Sequence, residues 1–198
     1  MTPGSEQIAW ARARASEARD ACPAYGVPWQ VPVAQGVVET GWGRSYRHHN
    51  WLGIKGPPIA LVSHRAETPE VVRGVRMRVP RWFRSYRSDK ACLHAYCRMV
   101  SRGRYAGARF YVDRPAWWLA YVWASGYASG EYYVEAAVQT LATLAAATGD
   151  DAFGGCVDVE LRGVLDVVRV GRRGLTWRRA GPHLALRDQA FGGLGGTA

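Results

Sequence analysis

The chain has 198 residues, 48% of them hydrophobic, and a formal net charge of +10. This length allows one hydrophobic core with a small appendage. Because no apolar run approaches the roughly 20 residues that cross a bilayer, we expect no membrane-spanning helix. The positive charge favours polyanionic partners, among which nucleic acids and anionic cell-surface polymers are both candidates.

Capping and periodicity signals predict a first helix over about residues 5 to 24. Ser5 is a suitable N-cap, and an acidic Glu6 suits the first turn because it faces the positive end of the helix dipole. Gly26 and Pro28 then end the helix, since glycine supplies a left-handed exit and proline prevents continuation.

A single carboxylate closes the second helix, which is predicted over about residues 31 to 40. Glu39 follows core-like valines and stands just before the corner Gly41-Trp42-Gly43, where the glycines stop the helix. A negative charge at a helix C-terminus opposes the macrodipole, so capping gives little reason for this residue. An acid beside an indole suits a sugar ring, which has an apolar face and a glycosidic oxygen to protonate.

Residues 54 to 86 change to strand character. Val75, Met77 and Val79 alternate with polar residues, which predicts a hairpin-like lobe with its turn at Arg73-Gly74. Arginines alternate with aromatic residues in and after this lobe, at positions 73, 76, 78, 81, 84 and 87. Such a stripe can bind nucleic acid, but the solvent face of a strand pair explains most of it, so we expect no specific nucleic-acid partner.

Three more helices follow, and the composition then changes. The third is predicted from Ser88 to about residue 101. The fourth opens at Asp113-Arg114-Pro115 and carries a cluster of Trp and Tyr residues that we expect to lie mostly in the core. The fifth runs from a Ser129 cap to about residue 148. These elements place the main domain at residues 1–151. Alternating apolar residues predict a small β-rich extension over 152–198 with a Gly-rich tail, either a docking piece or a strand pair packed on the main domain.

Neither cysteine nor histidine forms a metal-ligand pattern. The four cysteines, Cys22, Cys92, Cys97 and Cys156, contain no CxxC pair, so we expect reduced, half-buried thiols. The adjacent His48 and His49 point in different directions and lack further ligands nearby, so no metal is predicted.

Five segments together carry a family resemblance that covers roughly residues 5 to 148. They are 25–28 (YGVP), 35–43 (QGVVETGWG), 50–56 (NWLGIKG), 83–88 (FRSYRS) and 126–129 (GYAS), the last followed by Tyr132 or Tyr133. In this order they resemble the glucosaminidase family of bacterial peptidoglycan hydrolases, glycoside hydrolase family 73, which includes the wall-cutting domain of the flagellar rod protein.

The resemblance implies a fold and an activity. The fold is α+β and mainly α: a lysozyme-like helical lobe and a small β-hairpin lobe with a cleft between them. The activity is endo-β-N-acetylglucosaminidase hydrolysis of β-1,4 bonds in peptidoglycan glycan strands, with no metal or organic cofactor. Two alternatives stay open: an N-acetylmuramidase of the same fold, and a non-catalytic wall-binding or virion structural protein.

By the same resemblance Glu39 is the general acid, because a carboxyl half-buried among apolar neighbours keeps its proton toward neutral pH. The second carboxylate is assigned to Glu70, which stands four residues before the turn glycine Gly74, with Glu67 as a close competitor. A distant base acting through water would invert, whereas attack by the substrate's own 2-acetamido oxygen would retain. Sequence does not decide between them.

Aromatic and amide residues complete the predicted site. Tyr127 is expected to face Glu39 and to orient the acetamido group or the carboxyl, and Trp42 to stack on a sugar, although ordinary core packing also explains Trp42. Asn50 and Tyr132 or Tyr133 are further substrate-binding candidates. Asn50 is also expected to support the β-lobe.

The chain start, Met1-Thr2-Pro3-Gly4-Ser5, lacks a basic stretch and a following apolar core, so we expect no secretory signal peptide. A wall hydrolase of this kind would be made in the cytoplasm and reach its substrate after release, as part of a virion, or through an injection machine. Virion or secretion-machine components are accordingly possible partners of the C-terminal extension.

Overall fold

The computed structural model describes residues 3–59, 61–72, 75–128 and 132–153. Within these ranges the helices and strands are α1 Ser5–Ala21, α2 Gln30–Thr40, β1 Ser63–Val72, β2 Val75–Arg84, α3 Asp89–Val100, α4 Pro115–Ala124 and α5 Tyr133–Thr148. Short 3-10 segments lie at Pro23–Tyr25, Gly103–Tyr111 and Asp151–Phe153. This mainly helical α+β architecture was predicted. In the described part of the chain, every helix is too short or too polar to span a membrane.

The helical lobe is built around α4 and α2. Every residue of α4 from Ala116 to Val122 is at most 7% exposed, as expected of a helix that is apolar on all sides. The α2 helix contacts α1, α4 and α5, and its Val33, Ala34 and Val37 lie in the core. Packing on three sides therefore fixes the helix that carries Glu39.

The second lobe is an antiparallel hairpin. In its register Ser63 lies opposite Arg84 and Val72 opposite Val75, which confirms the predicted strand pair, whereas the predicted turn at 73–74 lies outside the described residues. A bridge between Lys55 and Phe83 joins β2 to the chain that leaves the helical lobe. The hairpin is thus attached to the helices beside the 50–56 segment.

Several helix boundaries differ from their predictions. The first helix ends at Ala21, and a 3-10 turn replaces its expected last residues. Its N-cap is Gly4, not Ser5, because the Gln7 side chain accepts a hydrogen bond from the Gly4 N–H at 2.8 Å. The left-handed exit at Gly26, with φ +62°, is confirmed.

The later helices agree better with their predicted bounds and caps. Ser88 caps α3 by accepting from the Ala91 N–H at 3.1 Å, as predicted. The last helix begins at Tyr133, and its proposed cap Ser129 lies outside the described residues. The 3-10 segment Gly103–Tyr111 was not predicted, because i+3 periodicity leaves little trace in the sequence.

The described cysteines are free and more deeply buried than predicted. Cys22, Cys92 and Cys97 are fully buried, and the sulfurs of Cys22 and Cys97 lie 3.6 Å apart. Burial raises the pKa of Cys92 to about 12, so this thiol is a neutral core group at physiological pH. Cys156 and the predicted extension, from residue 154 onward, lie outside the described residues.

Candidate active site

Glu39 is the next-to-last residue of α2, at a helix end fixed by its own hydrogen bonds. Gly41 adopts the left-handed conformation at φ +60° and ends the helix. The Thr40 hydroxyl donates to the Gly36 carbonyl and accepts from the Gly43 N–H, both at 2.7 Å. These bonds set the corner and place Glu39 at the edge of the helical lobe.

The backbone of the 50–56 segment lies directly against the Glu39 carboxyl. Gly53 has φ +62°, and a Cβ at this position would lie 2.8 Å from Glu39 Oε2 and 3.2 Å from its Cδ. Glycine is therefore required at this position for two reasons: its backbone conformation, and the space that the carboxyl occupies.

Asn50 holds this segment in place. Its side-chain nitrogen donates to the carbonyls of Ile54 and Arg84, and its oxygen accepts from the Ile54 N–H, all at 2.9 Å. Both amide hydrogens are thus used inside the protein. Asn50 was predicted both to bind substrate and to support the β-lobe. The contacts in the structure are those of the supporting role.

A groove separates the two lobes, and Glu39 lies at its midpoint. One cavity of about 640 Å³ extends along the hairpin, and another of about 510 Å³ extends toward α5 and the Gly103–Tyr111 segment. Both cavities are lined by Glu39, Gly53, Thr68 and Phe83. The predicted cleft between the lobes is therefore present, and it is open on either side of one carboxyl.

Tyr127 braces the same segment from the helical lobe. Its hydroxyl donates to the Leu52 carbonyl at 3.2 Å, and its ring packs 5.9 Å from Tyr96 and 6.1 Å from Tyr133. Burial raises the pKa of Tyr127 well above its usual value, and the nearby Glu39 charge raises it further. Tyr127 thus lines the same cavity as Glu39, and its hydrogen bond goes to the backbone segment that lies against the carboxyl.

The surroundings of Glu39 combine access to solvent with loss of hydration. The residue is exposed rather than half-buried, because the end of α2 opens into the groove. The groove walls nevertheless displace much of the water around the carboxyl, and this desolvation raises its pKa. A substrate can therefore reach the carboxyl from the groove, as proton donation requires.

Two neighbours oppose the effect of desolvation on the pKa of Glu39. The Tyr133 hydroxyl and the Lys55 charge both lower the pKa of the carboxyl. Desolvation is the larger effect, so these two neighbours offset it only in part. The net effect is a carboxyl that keeps its proton above the usual pH range.

Among the described side chains, Glu67 is the second carboxylate in the groove. It is exposed and lines the hairpin cavity together with Glu39. The backbone of Glu70 lies in β1 opposite Met77, but its side chain lies outside the described part of the structure. The structure therefore brings Glu67 to the groove, and the role of Glu70 stays a prediction.

The sequence comparison decides the family. A family model described as Glucosaminidase, mannosyl-glycoprotein endo-beta-N-acetylglucosaminidase, matches residues 15–146. The chain belongs to this glucosaminidase family. The matched range contains every residue named above as lining the groove.

Individual relatives agree with this membership. Peptidoglycan hydrolase FlgJ of Pseudomonas aeruginosa is 31% identical over 131 residues, which are 62% of this chain but only 33%, about a third, of that protein. A peptidoglycan hydrolase mutant from Sphingomonas sp. A1 has a TM-score of 0.58 at 27% identity, over 80% of this chain and 97% of that chain. The catalytic domain of the Listeria monocytogenes autolysin Auto has a TM-score of 0.60 at 21% identity, over 76% of this chain and 90% of that chain. This similarity shows the shared fold.

Two residues predicted for this glucosaminidase site are not among the residues that line these two cavities. Trp42 is half-buried and packs partly against the core of the helical lobe. Tyr132 precedes α5 and is 64% exposed. Of the two alternatives, Tyr133 is the one that lines the groove beside Tyr127.

Other residues of the site were given no role from the sequence. Phe83, at the start of the family segment 83–88, and Tyr105 line the cavities. Gln35, one turn before Glu39, lines neither cavity but is buried and accepts a hydrogen bond from the Tyr96 hydroxyl. Gln35 belongs to the family segment 35–43, and this was its only signal. No pattern pointed to Tyr105, because it lies in the unpredicted 3-10 segment.

The histidine pair has structural contacts in this family member. His49 Nδ1 lies 2.9 Å from Asp89, and the His48 ring packs 4.4 Å from the ring of His64. Where side chains are described, no three His, Cys, Asp or Glu residues gather as metal ligands would.

Proposed function

We propose that this protein is a peptidoglycan hydrolase that cleaves β-1,4 bonds of the glycan strand as an endo-β-N-acetylglucosaminidase, with Glu39 as the general acid. The observation that carries the proposal is a carboxyl with a raised pKa at the midpoint of an open groove. Family membership and relatives named as peptidoglycan hydrolases support the substrate class. The site of action is then the cell wall.

The chemistry follows from the position of the proton. The Glu39 carboxyl donates its proton to the glycosidic oxygen while the bond from that oxygen to the anomeric carbon breaks. The departing sugar leaves as a neutral alcohol, and the positive charge that develops at the other ring is relieved by attack at the anomeric carbon. A water molecule supplies the final oxygen, and its spare proton goes to a base.

Glu67 is the proposed base, because it is the second carboxylate among the described lining residues. We expect Glu67→Gln to lower kcat by about 10²-fold, since an amide cannot take the proton from water. The matched variant Glu70→Gln should retain activity close to that of the unaltered protein. Both are measured by release of reducing ends from purified sacculi. The reverse pattern would move the base to Glu70, and two active variants would favour attack by the 2-acetamido oxygen.

End-group chemistry tests the bond that is cut. Sacculi are digested, reduced with borohydride and hydrolysed to their amino sugars. We expect reduced glucosamine as the new end. Reduced muramic acid would instead identify an N-acetylmuramidase. Sacculi that bind the protein but gain no reducing ends would identify a non-catalytic wall-binding protein.

A further inference from the structure

The side chains that line the groove carry more positive than negative charge, although a neutral sugar has no charge for them to bind. Its described cationic lining residues are Arg47, Arg65 and Arg78 in the hairpin cavity and Lys55 and Arg104 in the other. The acidic ones are Glu39 and Glu67. The described lining thus carries five basic and two acidic side chains, which is an excess of positive charge.

The three arginines of the hairpin cavity come from separate parts of the chain. Arg47 precedes the His48-His49 pair, Arg65 lies in β1 and Arg78 in β2. All three are exposed, and within the described structure none of them forms an ion pair, although Arg78 approaches the Glu67 carbonyl at 3.5 Å. Their guanidinium donors are therefore largely available to a ligand.

His64 lies beside these cations. Its ring lines this cavity, and its pKa is lowered by burial and then by the charges of His48 and Arg47. Cations gathered in a binding groove repel one another, which favours an anionic ligand over a neutral one.

We propose that Arg47, Arg65 and Arg78 bind carboxylates carried by the substrate's peptide stems, so that the enzyme prefers peptide-bearing glycan strands to neutral amino-sugar polymers. This inference rests on the proposed function. Carboxylates suit the site because a guanidinium binds them through two parallel N–H donors. Because the arginines are exposed, salt screens the attraction.

The contribution belongs to substrate binding and not to the chemical step. An interaction that is equally strong in the ground state and the transition state lowers KM and leaves kcat unchanged. We therefore expect the arginines to act on KM, and the effect to fade as the salt concentration rises.

A comparison of two double variants on two substrates tests this. Arg65→Gln/Arg78→Gln removes two groove charges, and Arg98→Gln/Arg109→Gln removes two exposed charges that line neither cavity. The substrates are soluble peptide-bearing strands free of teichoic polymer, and the same strands with their carboxylates coupled to ethanolamine. We expect the unaltered protein to show a KM about tenfold lower on the carboxylate form. The groove variant should lose that preference at unchanged kcat, and the control variant should keep it.

Other outcomes overturn the inference. Equal KM on both substrates, or equal losses in both double variants, would show that the arginines provide only general surface charge. A preference that appears only on walls bearing teichoic polymer would identify phosphate as the ligand. Arginine-dependent DNA retention without a carboxylate preference would identify nucleic acid.

Carboxylate binding can be tested even if the proposed hydrolase function fails. If the unaltered protein hydrolyses neither substrate, pelleting with native and amidated sacculi still tests carboxylate binding. Arginine-dependent pelleting with the native form alone would then support the inference although the hydrolase proposal had failed. Equal pelleting with both forms would overturn it.

Discussion

Glu39→Gln is expected to stop the clearing of a sacculus suspension, with kcat lower by about 10³-fold. The amide keeps the size of the side chain at the midpoint of the groove but cannot donate a proton to the glycosidic oxygen. Pelleting with sacculi should be unchanged, because the groove walls are intact. The measurement is the release of reducing ends, with the exposed Glu6→Gln of the first turn of α1 as the matched control.

The same variant should also be more stable than the unaltered protein at neutral pH. In the unfolded chain Glu39 ionises near its ordinary pKa of 4.5, whereas desolvation between the groove walls raises that pKa in the folded protein. The folded state therefore binds more protons, and the free energy of unfolding falls as the pH rises above 4.5 toward the folded pKa. Glutamine removes this loss. Because solvent still reaches the side chain, screening keeps the gain small.

Melting temperatures check the sign of this effect. For a chain of this length each kcal/mol gained corresponds to about 2–4 °C. Glu39→Gln should melt slightly higher at pH 7.5 and level with the unaltered protein at about pH 4, where Glu39 is mostly protonated in both states. Unchanged clearing would exclude Glu39 as the acid, and a lower melting temperature at neutral pH would show that the carboxyl is held as a stabilising ion.

Local signals predicted the part of the site that lies on one helix. The apolar run of α2, the glycine corner and the lone Glu39 all concern neighbours in sequence, where periodicity and backbone conformation act directly. The hairpin was predictable for the same reason, since its alternation has a period of two.

The rest of the site depends on how the lobes pack. Sequence spacing pointed to Glu70 with Glu67 as a close competitor, and the folded groove adds that Glu67 shares a cavity with Glu39, while the Glu70 assignment stays a prediction. The sequence left Trp42 between sugar stacking and core packing, because an indole beside a groove carboxyl and an indole in a core look alike in one sequence, and the structure shows that it packs partly against the core. The bond from Tyr127 to Leu52 joins residues 75 positions apart, which no local pattern records.

Gly53→Ala should separate the geometry of the carboxyl from its chemistry. The new methyl group would lie 2.8 Å from Glu39 Oε2, so that either the carboxyl or the 50–56 segment must move. A displacement of about 1 Å at a reacting group can cost about 10²-fold in rate. We expect kcat to fall by about that factor with little change in KM, because the side chains that line the rest of the groove are untouched.

Gly26→Ala is the matched control, because Gly26 has the same φ of +62° but no atom within 4 Å of the place that a methyl group would take. Both substitutions force alanine into the left-handed region at a cost of about 1–2 kcal/mol, so backbone strain should lower the melting temperatures of both proteins by a similar amount. Only Gly53→Ala should lose activity. If the two variants retained equal activity, the close approach of the 50–56 backbone would not be what positions Glu39. If Gly53→Ala alone were inactive at equal stability, the loss would come from the contact with the carboxyl, since backbone strain is common to both.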